Sequence, residues 1–411
     1  MKNNLKKKNL KHYLPILLLP LLLLASCSKE DIPLPQPKPI EPPVVVIKKS
    51  DTLYSQSYLN QKSGIFFIWH YNIQLTSARK ILNNDEKGDY GAGQSYSDVN
   101  GDGFVDILTS YSNDAIGYKG IRWYINKGDN KNFYSDTTYI NGNTFGSTAH
   151  KVLKTDINKD GKADFVILGV DERVVGNYNG NFNVLLSTTT NKFQYITIPN
   201  PNKYWFHNGA TGDLNGDGNV DVVAGTFVWY GDGSGNFTKS NIELNKYTSA
   251  ILVYEILDID KDGKDDIIIG GNDVYGNTTI IFNNGTFINS KTIQFKKQTE
   301  FLFCIDFEFI DLDSDGDLDI VELRADKDQI QTKLFAYIKT GDGYSLDPAY
   351  FNDSLDGGSV YGQYDKYGWS TFKVDDVDGD KILDIVAENF HDSQPNGYKK
   401  VGGNWVKFSF N

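Results

Sequence analysis

Asp213-Leu214-Asn215-Gly216-Asp217-Gly218-Asn219-Val220-Asp221, running on into Val222-Val223-Ala224-Gly225, is the stretch that decides how this chain folds. Its pattern is Asp at position 1, Asn or Asp at 3, Asp at 5, Gly at 6 and Asp at 9. Two earlier copies place those residues at Asp98, Asn100, Asp102, Gly103 and Asp106, and at Asp156, Asn158, Asp160, Gly161 and Asp164. Two later ones place them at Asp258, Asp260, Asp262, Gly263 and Asp266, and at Asp311, Asp313, Asp315, Gly316 and Asp319. A last copy, Asp376, Asp378, Asp380 and Asp384, carries Lys381 where the others carry Gly. The copies start about 45–65 residues apart, and a period in that range marks a repeat architecture.

The spacing has a chemical reason. Ca²⁺ takes six to eight oxygen ligands, and side chains at positions 1, 3 and 5 converge on one ion only if the backbone turns sharply. Gly at position 6 supplies that turn without a Cβ penalty. Asp at position 9 then closes the site at the start of the next element. An EF-hand would need Glu at position 12 and flanking helices. Position 12 here is Thr109, Ile167, Ala224, Ile269, Glu322 and Ala387, and the loops run into "DILTS", "DFVIL", "DVVAG", "DIIIG", "DIVEL" and "DIVAE". These are short strand-like runs. The expectation is up to six Ca²⁺ ions held by the residues at positions 1, 3, 5 and 9. The sixth site is expected to be the weakest, because a non-Gly residue in a left-handed turn is strained and the Lys381 ammonium repels a cation.

Each unit holds more than its loop. An apolar run precedes it ("SAILVYEIL", "FLFCIDFEFI"), and a further strand ends in Gly and an aromatic ("VWYGDGSGNF", "TIIFNNGTF"). A fourth segment follows ("QYITIPN", "INSKTIQF"). Four short strands per unit predict an all-β chain, a β-propeller of four-stranded blades. The units resemble FG-GAP/VCBS repeats, the calcium-loop blades of integrin-α-like propellers and of many bacterial surface proteins. The resemblance covers roughly residues 90–411 and implies fold and calcium far more specifically than ligand. Residues 51–89 hold strand-like segments without a loop, and the chain ends in "NWVKFSFN", read as a third strand lacking its fourth. Residues 51–411 are therefore expected to form seven blades, closed by pairing N-terminal strands with the C-terminal blade; six blades with an N-terminal extension is the alternative.

Composition agrees and excludes other classes. The 411 residues carry 25 Tyr and 24 Phe against 1 Met, a bias toward residues that suit pleated strands. The net charge of −12 includes the basic N-terminal residues, so the remainder is more acidic still, a poor surface for a phosphate backbone. Nucleic acid is excluded as a partner. Two cysteines exclude a disulfide scaffold or a Cys-rich zinc protein.

The N-terminus reads as an address. Lys2 to Lys11 form a basic segment, and Leu14 to Leu24 an apolar one too short and too Pro-interrupted to span a bilayer. Leu24-Ala25-Ser26-Cys27 resembles the bacterial lipobox, which implies a signal peptide over 1–26 and a lipidated Cys27. Ser28-Lys29-Glu30-Asp31 resembles the acidic export signal of Bacteroidetes-type lipoproteins. It implies an outer-membrane anchor facing the exterior. Residues 27–50, rich in Pro, form an extended tether.

For a ligand, the aromatic and imidazole side chains just upstream of several loops are the candidates: His150, Trp205, His207, Tyr247, Tyr367 and Trp369. Flat rings with a few polar partners suit sugar faces or peptide side chains. Catalysis finds little support, since none of the histidines left after His12 departs sits in a metalloprotease-like motif or beside a nucleophile elbow. Cys304 reads as a core thiol. The expected function is a calcium-braced, non-catalytic surface lipoprotein that binds glycan or protein beside an outer-membrane uptake complex. The alternatives are a polysaccharide lyase on a calcium propeller and a structural subunit without its own ligand.

Overall fold

The computed structural model describes residues 90–113, 118–136, 138–141, 148–170, 180–190, 192–206, 208–247, 251–274, 276–328, 332–348, 350–351, 369–376, 380–389 and 396–409. The expected signal peptide, Cys27, the tether and the strand-like segments of residues 51–89 lie outside them. All described strands fall in the unit Val46–Asn411.

Every regular element among the described residues is a β-strand, and the strands form six sheets. The third sheet shows the plan: Gly209–Gly212, Asp221–Ala224, Phe227–Gly231 and Phe237–Glu243 pair antiparallel in chain order. Each sheet repeats this meander, and the second adds the short parallel segment Ile140–Asn141 at its outer edge. The first strands of the sheets are Tyr90–Ser97, Thr148–Thr155, Gly209–Gly212, Ile251–Leu257, Phe303–Ile310 and Trp369–Asp375. Each of the first five lies beside the first strand of the next sheet. The sheets are thus blades of a β-propeller, with every acidic loop joining first to second strand at the same end.

The apolar runs make these sheets because both faces are buried. Five hydrophobic clusters each span two successive blades. Along the second strand of the fourth blade, Ile267 and Ile269 enter the cluster shared with the third blade, and Ile268 the one shared with the fifth. A strand buried on both faces reads as an unbroken β-branched run rather than an alternation, which is why "DIIIG" looks as it does.

One expectation is corrected. "NWVKFSFN" is not a third strand but the fourth: Asn396–Val401 is the third, and Asn404–Ser409 pairs with it from Val401↔Asn404 outward. Gly402 and Gly403, at φ 57° and 86°, make the two-residue turn between them, a hairpin that requires positive φ at both central positions. The sixth blade is complete, so its supposed missing strand no longer argues for closure by N-terminal strands.

Ile268→Ala should lower stability by about 2–5 kcal/mol, the range for truncating a buried Ile. Ile288→Ala, at a side chain 67% exposed, should move the urea midpoint little. Equal shifts for the two variants would contradict two-sided burial.

Candidate metal centre

Each loop is wound by its own side chains. In the first, Asp98 accepts the N–H groups of Gly101, Asp102 and Gly103 at 2.7–3.1 Å. Asn100 Oδ1 accepts that of Asp102 (2.9 Å), and Asp102 Oδ1 that of Phe104 (2.8 Å). The position-1 carboxylate takes the position-6 N–H in all six loops, through Asp156, Asp213, Asp258, Asp311 and Asp376 as well. The position-3 oxygens of Asn158, Asn215, Asp260 and Asp313 likewise accept from Asp160, Asp217, Asp262 and Asp315. Asp160, Asp217, Asp262, Asp315 and Asp380 in turn each accept the N–H of position 7. These nested turns curl the chain so that oxygens at 1, 3 and 5 converge. In the fourth and fifth loops, carboxylate oxygens of Asp258, Asp260 and Asp262, and of Asp311, Asp313 and Asp315, lie within 4.8 Å of one another. Asp378 lies outside the described residues.

The turn needs two left-handed residues, not one. Position 6 has φ 79–92° at Gly103, Gly161, Gly218, Gly263 and Gly316, and 71° at Lys381. Position 4 is left-handed as well, at Gly101, Lys159, Gly216, Lys261 and Ser314. A Cβ at Gly103, Gly161, Gly263 or Gly316 would meet nothing within 4 Å, so the backbone conformation, not crowding, selects glycine there.

The ninth-position acids are set apart from the exposed cluster. Asp106, Asp164, Asp221, Asp266, Asp319 and Asp384 are all buried. In five loops one oxygen accepts the position-2 N–H (Val99, Ile157, Leu214, Ile259, Leu312). The other accepts an N–H from the third strand or its end (Asn126, Ser187, Gly231, Asn283, Lys339), at 2.6–2.9 Å. Burial outweighs these bonds and pushes the carboxyl of Asp106 up to about 7 and those of Asp221 and Asp266 to about 6. Neighbouring loop carboxylates add to the rise in each.

The donor set is oxygen only, carboxylates with Asn amides at position 3 of the first three loops, and it fits a hard divalent cation. Residues 98–167 and 258–322 match the FG-GAP-like repeat family. Those two stretches carry FG-GAP-like repeats. Both matched stretches begin at the first residue of an acidic loop and end within the second strand of the following blade. No curated protein matches. Among solved structures, a biofilm matrix protein of V. cholerae is similar at 19% identity and TM-score 0.36, over 56% of this chain and 34% of that one. This chain therefore spans about a third of that protein's length. A protein from Lactobacillus plantarum is similar at 11% identity and TM-score 0.46, over 74% and 80% of the two chains. A B. megaterium levansucrase is similar at 9% identity and TM-score 0.33, over 60% and 81%.

The other candidate residues fare unevenly. Trp205 precedes the first strand of the third blade, at the end away from the loops, and its side chain is 40% exposed. Tyr247 is half-buried against the cluster between the third and fourth blades, with the Lys246 ammonium 4.8 Å from its ring centre. His150 and Trp369 lie on first strands, and their side chains are not described; His207 and Tyr367 lie outside the described residues. Cys304 is a buried free thiol, as its sequence context predicts.

Glu322, the one residue with EF-hand spacing, turns away from its loop. Its Oε1 accepts from Arg324 Nη1 (2.7 Å) and Thr278 Oγ1 (2.5 Å), while Arg324 Nη2 lies 2.8 Å from Asp273 Oδ1. Arg324 also donates to the carbonyls of Phe301 and Leu302, fixing the connection into the fifth blade. Motif reading missed this buried group. The signal was there, since Glu322 and Arg324 stand two apart, hence on one face, in an otherwise apolar strand.

Two outcomes are expected. Lys381→Gly should stabilise the protein by about 1 kcal/mol even in chelator, because its cost is conformational; an unchanged melt would deny that strain. The second concerns pH. A carboxyl raised in the folded state contributes stability below its unfolded value, near 4, that is lost as pH rises through its folded value. In chelator the melting temperature should therefore fall between pH 5.5 and 7.5, and a divalent cation should restore it at pH 7.5. A rise over that window would show that other groups govern the apo protein.

Proposed function

We propose that this protein is a calcium-stabilised, non-catalytic binding protein of the bacterial cell surface, held at the outer membrane by lipid on Cys27 and presenting a face to glycan or protein ligands. The observation that carries the reading is the recurrence of one oxygen-lined loop at the same end of every blade, with its position-1 carboxylate bound to the position-6 N–H each time. Repetition with that uniformity serves blade stability rather than one reaction. Residues at 1, 3 and 5 would hold the ion, and calcium would supply the positive charge that draws their carboxylates together. The opposite end is then the place for a ligand, and exposed Trp205 offers a flat apolar face of the kind that stacks on sugar rings or peptide side chains.

Extracellular calcium modules bind with Kd of about 10⁻⁴–10⁻³ M. At about 1 mM calcium each site would add roughly 0.4–1.4 kcal/mol to folding through linkage. Chelation should lower the melting temperature of the full chain in detergent, and magnesium, which demands near-octahedral geometry, should restore it poorly. On a glycan array, Trp205→Ala should lose binding shown by the parent protein at equal fold stability. A melt indifferent to chelator, with no metal retained, would end the calcium reading. Turnover of a polysaccharide to unsaturated products would end the non-catalytic one.

A further inference from the structure

We infer that Asp265, which belongs to the fourth loop by sequence, serves the metal site of the third. The inference rests on the calcium reading proposed above and assigns a residue that the loop motif does not contain. Position 8 of the motif is Val105, Ala163, Val220, Leu318 and Leu383 in the other copies, and an acid in the fourth alone. Its carboxylate crosses to the neighbouring blade, where Asp265 Oδ2 accepts the backbone N–H of Asp213 at 2.9 Å. Asp213 is the first-position residue of the third loop, and its own carboxylate holds Gly216 and Gly218 at 2.8 and 2.7 Å.

Two further observations show that this crossing is built rather than incidental. The residue before the loop is Ser97, Thr155, Leu257, Ile310 or Asp375 elsewhere and Gly212 here. A Cβ on Gly212 would stand 2.8 Å from Asp265 Oδ2 and closer still to Ile256, so the glycine makes the room that the carboxylate fills. Beside it, Asn283 Nδ2 donates to the carbonyls of Leu214 and of Asp265, both at 2.9 Å. The fourth blade therefore clamps positions 1 and 2 of the third loop, one through an N–H and the next through a C=O.

The chemistry follows from charge and placement. The third loop has Asn215 at position 3, so its exposed donors include two carboxylates where the fourth and fifth loops have three. Asp265 adds a negative charge to that deficit from outside the ligand set. It also fixes the backbone from which the Asp213 ligand springs. Outer groups of this kind, which orient a ligand and tune its charge, typically change metal affinity 10- to 100-fold. Asp265 is thus a positioning residue, and through it the fourth blade sets the affinity of the third.

The test is calcium titration by calorimetry on the full chain in detergent, comparing the parent, Asp265→Asn, Asp217→Asn and the double variant. Asp217→Asn removes a direct donor of the third loop and marks that site. Asp265→Asn keeps shape and an acceptor oxygen but removes the charge, and should weaken one site about tenfold while leaving the others unchanged. In the double variant only that same single site should be weakened, because both changes act on one site. Two sites weakened in the double variant, or no site weakened by Asp265→Asn, would overturn the inference. A parent protein that binds no calcium would instead overturn the calcium reading on which it rests. Should Asp265→Asn fail to fold, as judged by its melt in saturating calcium, Asp265→Ser takes its place with the same outcomes.

Discussion

The buried ninth-position carboxylate is the interaction on which each blade depends. It is the last rung of the ladder between first and second strands, at the point where the loop ends and the second strand begins. All six second strands start at this residue. A backbone N–H left unpaired in the interior costs roughly 1–3 kcal/mol. One aspartate satisfies two of them, at position 2 of the loop and at or just beyond the end of the third strand. An amide could not do the same, since one of its two ends is a donor. The residue thus fastens loop, second strand and third strand together, and it does so before any ion is considered.

The second constraint is that the second to fifth blades are buried on both faces. Charge has little place on such a strand, so the acids of this chain collect in the loops at one end. Lys151, Glu255, Asp306 and Glu308 are buried on first strands as well, and one further buried group shows the physics that permits it. Glu322, Arg324 and Asp273 sit in the interior because they face one another and because Arg324 spends its remaining donors on two backbone carbonyls. A buried ion pair that lost one partner would leave a stranded charge, at a cost of about 3–5 kcal/mol. The group holds a connection between blades at the end opposite the loops, where the sequence shows no motif.

What could be read from the sequence is what local chemistry dictates. The loops, the strands that leave them, the four-strand unit and the thiol character of Cys304 were legible because the residues responsible lie within a dozen positions of one another. The final hairpin was misread although its signal, Gly402-Gly403 between two strand-like runs, was equally local. The left-handed position 4 was hidden because Lys159, Lys261 and Ser314 take a conformation that glycine would announce. Contacts between blades were out of reach for a different reason. Asp265 and Asp213 are brought together only by the packing of the third blade on the fourth, and one acid in a loop full of acids carries no mark of its partner.

That limit bears on how the six loops should be ranked. Counting carboxylates places the fourth and fifth loops above the first three and level with each other. The wiring of position 5 says otherwise. In the first and third loops the second oxygen of that carboxylate accepts an amide proton from the loop's own Asn100 or Asn215, at 3.0 and 3.1 Å. In the second, the Ser187 hydroxyl approaches Asp160 at 3.2 Å, and in the fourth the Lys264 ammonium lies 2.9 Å from Asp262. In the fifth, Lys261 and Lys339 are engaged by Asp317 at position 7, at 3.9 and 3.5 Å. An incoming ion must share or displace the donors seated on position 5 of the first four loops. An exposed ion pair is weak and screened by salt, so Lys264 yields easily and the Asp262 carboxylate is released with full charge. The donor already seated on the position-5 oxygen therefore separates loops that charge alone would rank as equals.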